Sequence, residues 1–148
     1  MTPVCGVAEA EEGRGGLLWE VYMATTKDRL RVLRNELQFL DGGGYRSPIL
    51  WRPARIFEDS PTCPKDPWSA CPHVDCVLLD FVPEQKHNEA IPCRHIPLNE
   101  RGETLTTLYS TGTNEEIQET LREWLQKTIA GLEQQTQSEM VWRKEKAG

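Results

Sequence analysis

A chain of 148 residues, 38% hydrophobic and 27% charged, has the size and composition of one globular domain rather than of a disordered tail. Its formal net charge of -6 argues against a nucleic-acid-binding protein held by phosphate neutralisation. No apolar run approaches the roughly 20 residues that span a bilayer. Near the start, Glu9, Glu11 and Glu12 stand where a secretion signal would be basic and then apolar, so the expected location is the cytoplasm with no membrane partner.

Residues 1–22 keep no helical or strand period for long, and are expected to form a flexible extension ahead of a single domain over 23–148. Met23 would serve equally well as a start. Thr25 and Asp28 then resemble a helix cap, and Leu30, Leu33, Leu37 and Leu40 fall on one helical stripe that runs into three glycines at 42–44. A helix over 26–41 follows.

Beyond the glycines the apolar period changes to two. Residues 49–57 read as a strand that Pro53 confines to a sheet edge, and 76–82, rich in Val, Leu and Phe, as a central strand. After a polar loop, 91–98 reads as its neighbour despite Pro92 and Pro97, and a turn over 99–102 leads to a strand over 104–109. The last element is a second helix over 114–134. Thr113 and Glu116 form a capping box there, ahead of an apolar face of Ile117, Leu121, Trp124, Leu125, Ile129 and Leu132. Helix, strands, helix predicts an α+β fold: a small, mainly antiparallel sheet of three to four strands with two helices packed on it.

The chemistry is concentrated between residues 59 and 95. Cys63, Cys71, Cys76 and Cys93 are spaced C-x7-C-x4-C-x16-C, with His73 inside the segment and His95 two residues after Cys93. Thiolate and imidazole are the ligands of tetrahedral zinc. The segment 59–76 holds four prolines and few apolar residues, so an ion would supply the anchor that the loop otherwise lacks. A hairpin of 76–82 with 91–98 would hold Cys76 and Cys93 about 16 Å apart. The expected zinc ligands are therefore Cys63, Cys71 and Cys76, with His73, His95 or Cys93 as the fourth. The competing reading makes the same thiols small buried hydrophobes.

Two further readings concern partners and catalysis. Arg46, Trp51, Arg52 and Arg55 interleave guanidinium groups with an aromatic ring, which suits an acidic protein partner or, more plainly, an edge protected against pairing. Cys93, Arg94 and His95 place a thiol, a cation and an imidazole side by side, the parts of a thiol enzyme. No P-loop, G-x-G-x-x-G, H-E-x-x-H or G-x-S-x-G motif is present. The sequence thus favours a non-catalytic accessory or protein-interaction protein with a zinc-stabilised loop over a small thiol- or metal-dependent enzyme.

Overall fold

The computed structural model describes residues 25–46, 55–63, 71 and 76–147. The expected extension over 1–22 lies outside them, as does most of the expected edge strand. Helix α1 covers 25–41, and Thr25 is already helical rather than its cap. Leu30, Leu33, Glu36 and Leu40 line its buried face, with Leu37 half-buried beside them. The helix ends in a left-handed cap: Gly44 N–H donates to the Phe39 carbonyl at 2.9 Å and Gly43 N–H to that of Leu40 at 3.0 Å. Gly43 takes φ +84°, and a Cβ on Gly44 would meet the Phe39 ring at 2.4 Å, so both positions require glycine.

Helix α2 (Leu105–Thr111) and helix α3 (Asn114–Ala147) are the other α-helices of the described residues, and three short 3₁₀ helices, Val77–Phe81, Glu84–Lys86 and Pro92–His95, lie between α1 and α2. Arg34 pairs with Glu133 at 2.5 Å and Asp41 with Arg122 at 2.8 Å, so α1 and α3 run antiparallel. Thr113 and Glu116 close the capping box their spacing predicts: Glu116 N–H donates to Thr113 Oγ1 at 3.2 Å, and Thr113 N–H to Glu116 Oε2 at 2.8 Å. Ile117, Leu121, Trp124 and Leu125 are the buried face. The helix continues well past residue 134, where the apolar face stops, because Gln, Glu, Lys and Arg keep favouring helix and no breaker intervenes. Its outer turns expose Met140, Val141 and Trp142. Among the described residues no helix is long and apolar enough to cross a membrane.

The expected sheet is absent: the described residues contain no strand, and the α+β reading is corrected to an all-helical one. In place of strand 76–82 stands a 3₁₀ helix, Val77–Phe81, and in place of strand 91–98 another, Pro92–His95, with Pro92 in its first turn. Leu78 and Val82 are buried while Leu79 between them is only half-buried, a spacing of four rather than two. Apolar runs this short satisfy either conformation, and packing decides between them. The third expected strand, 104–109, is helix α2. Thr104 and Thr107 look strand-forming but cap the helix instead, with Thr104 N–H donating to Thr107 Oγ1 at 2.9 Å. Of the expected edge strand over 49–57, the described part, 55–57, enters a turn.

That turn plugs the core. Phe57 is 1% exposed at φ +66°, a left-handed conformation costing a bulky residue about 1–2 kcal/mol. Its ring meets Trp124 of α3 edge-on at 6.2 Å, and its N–H donates to the Tyr45 hydroxyl at 3.0 Å. Phe81 meets the same Trp124 edge-on at 5.5 Å. The 3₁₀ helices Val77–Phe81 and Pro92–His95, together with α1, α2, α3 and the turn, thereby share one hydrophobic core.

Candidate functional site

The cysteine segment leaves this core at Ser60. Glu36 of α1, fully buried, accepts hydrogen bonds from Ser60 Oγ at 2.5 Å, from Thr62 Oγ1 at 2.8 Å and from the Tyr45 hydroxyl. Burial first, and the Glu36 charge second, push the Tyr45 hydroxyl far above its ordinary pKa, so it remains a donor. The sequence reading missed Glu36. Its signal was a carboxylate among the leucines of the buried stripe.

From this anchor the chain carries Cys63 toward the two 3₁₀ helices. Cys76 precedes Val77–Phe81, Cys93 lies inside Pro92–His95, and these two helices pack against each other. The hairpin that would have separated Cys76 from Cys93 does not exist. Instead Cys63, Cys71 and Cys76 all lie near enough to Cys93 for their charges to act on it, and Cys63 and Cys71 act likewise on Cys76. All four are half-buried thiols with no disulfide between them. As placed, no three His, Cys, Asp or Glu groups among the described residues stand close enough to hold an ion.

The environments of the two inner thiols differ. Burial pushes the Cys93 thiol strongly up, and the Glu58 carboxylate and the other three cysteines add to the shift. Burial also raises Cys76, a rise that the nearby backbone amides of Leu78 and Leu79 oppose and that Cys71 and Cys63 add to more weakly. The side chain of Glu58 is only 5% exposed and is clamped by Arg94, Nε to Oε2 at 2.8 Å and Nη2 to Oε1 at 3.1 Å. Arg55 approaches the same carboxylate at 3.7 Å, and the Arg94 guanidinium stands 5.9 Å over the Tyr109 ring.

The remaining expected site residues do not assemble. His73, Trp51 and Arg52 lie outside the described residues. Arg46 is exposed in the turn after α1, while Arg55 is committed to Glu58. Cys93 and His95 do not share a face. A 3₁₀ helix has three residues per turn, so positions two apart are rotated by about 240°. The strand geometry that aligned them is corrected accordingly. An open groove of about 520 Å³ between α1 and Cys76 presents Arg31, Asn35 and Gln38 as polar groups, with neither carboxylate nor imidazole among its described lining.

Compared with protein families, curated proteins and solved structures, the chain finds no match in any of the three.

Proposed function

We propose that this chain is a non-catalytic accessory or protein-interaction protein of a reducing compartment, in which the cysteine segment serves architecture rather than reaction. The observation that carries this reading is the setting of Cys93. A catalytic thiol needs a depressed pKa from a neighbouring cation or imidazole. Cys93 instead packs against the core beside the negative Glu58, Arg94 is taken up by that carboxylate, and His95 is turned away. Four neighbouring thiols without a bridge suit a reducing location.

The competing reading is a small thiol- or metal-dependent enzyme, which requires an activated cysteine or an acid–base group facing a cleft. The groove beside Cys76 supplies neither among the described residues. Alkylation of the native protein with iodoacetamide across pH 6 to 10, with and without chelator, separates the two. The proposed reading expects Cys76 and Cys93 to react more slowly than free cysteine at pH 7, and to catch up only in denaturant. A single thiol that reacts faster than free cysteine at neutral pH, and slows on His95→Ala, would sink it.

A further inference from the structure

We infer that the projecting half of α3 is a docking surface for the chain's own residues 17–23, which lie outside the described residues and lead into α1, and that they cover Met140 and Trp142. These two side chains are 44% and 55% exposed on a helix that has left the core. Their placement follows the helical repeat. Trp142 comes eighteen positions after Trp124, about five whole turns, and Met140 eleven after Ile129, about three. The two thus resume the edges of the stripe that buried Trp124 and half-buried Ile129 mark in the packed half. Thr136, between them, is half-buried too. A face of this kind, apolar and in line with the core, marks a contact.

The second support is where the preceding chain enters. Arg34 pairs with Glu133 in an antiparallel pair of helices, so nine residues back along α1 correspond to nine residues on along α3. At equal rise per residue, Thr25, the first residue of α1, comes level with Trp142. Residues 17–24 reach at most about 26 Å from there, whereas the projecting half of α3 is about 21 Å long. The segment arrives at the patch itself.

The third is chemistry. Residues 17–23 read Leu-Leu-Trp-Glu-Val-Tyr-Met, six apolar or aromatic side chains around Glu20. Laying them on Met140 and Trp142 removes apolar surface from water on both sides. Charge agrees. Residues 1–24 hold Glu9, Glu11, Glu12 and Glu20 against Arg14, whereas α3 beyond Glu133 holds Arg143, Lys144 and Lys146 against Glu139 and Glu145. An acidic segment is drawn to a basic helix end. A second copy, by contrast, would bring a net charge of -6 against another -6, and only the segment is tethered beside the patch at high effective concentration. The contact fastens the segment and leaves the stability of the body to its own core.

Chymotrypsin, which cuts after Leu17, Leu18, Trp19 and Tyr22, tests the contact in the full chain. Each cut is followed by mass spectrometry, with a synthetic peptide of residues 10–26 as the undocked reference. Cleavage within 17–23 is expected to be at least about tenfold slower in the protein than in the peptide, since cutting requires release of the segment. Trp142→Glu and Met140→Glu, which alter exposed side chains, are expected to bring the rate toward that of the peptide. Sedimentation is expected to show a monomer. The comparison of wild type with peptide needs no variant, so a variant that fails to fold does not remove the test. Cleavage as fast as in the peptide, or slow cleavage that persists in both variants, overturns the inference. So does a dimer that Trp142→Glu dissociates, because a second copy then covers the patch.

Discussion

Glu36 illustrates how much of this fold hangs on one side chain. Its carboxylate collects three hydroxyl donors and ties α1 to the turn that carries Cys63, with no exposure to water. Glu36→Ala leaves those hydroxyls without their acceptor at about 1–3 kcal/mol each where buried, so a loss of about 3 kcal/mol is expected in denaturant unfolding. Glu36→Gln keeps an acceptor and should lose less. Tyr45 gives a pH signature. Its folded pKa is raised, so the stabilisation is complete below the unfolded tyrosine value near pH 10 and falls as pH rises beyond it, by up to about 1.4 kcal/mol per pH unit. Unfolding measured from pH 8 to 11 should show this slope in the wild type and a shallower one in Tyr45→Phe; equal slopes would refute the assignment.

Among the elements, α3 divides into a packed half and a projecting half. Leu121 is fully buried, and Leu121→Ala should cost about 2–5 kcal/mol; a loss under 0.5 kcal/mol would place that face in solvent, at odds with the fold. Beyond Glu133 none of the described side chains of α3 is buried. Ending the chain after Glu133 should therefore leave the melting temperature within a few degrees while lowering helical ellipticity at 222 nm. A large drop would show that Met140, Val141 and Trp142 support the body. The helix was legible in sequence because its signals are local: Thr113 and Glu116 three apart, and apolar residues at helical spacing. Its far end was not, because the apolar stripe marks where packing stops rather than where helix stops.

For the molecule as a whole, the change from sheet to helix has a direct spectroscopic consequence. Far-UV circular dichroism should be dominated by α-helix, and amide I absorption should lack the band of an antiparallel sheet; a strong sheet band would contradict the architecture. The same correction reorganises the site. A hairpin would have held Cys76 and Cys93 apart, whereas packed 3₁₀ helices bring them into each other's field.

Size, charge and the two long helices were decided by the sequence alone, since composition is global and a capped, periodic segment carries its own instructions over three or more turns. So was the choice of residue types in the cysteine segment. Only tertiary structure decided that 76–82, 91–98 and 104–109 coil instead of extending. Runs of five to eight apolar and β-branched residues fit either backbone, and the deciding energy comes from neighbours: Trp124 under Phe81, and a Thr104–Thr107 cap closing on itself. Tertiary structure likewise decided which thiols meet and which carboxylates are buried. Glu36 and Glu58 find their donors up to 36 positions away, and contacts of that range are set by how elements pack, which no local spacing records.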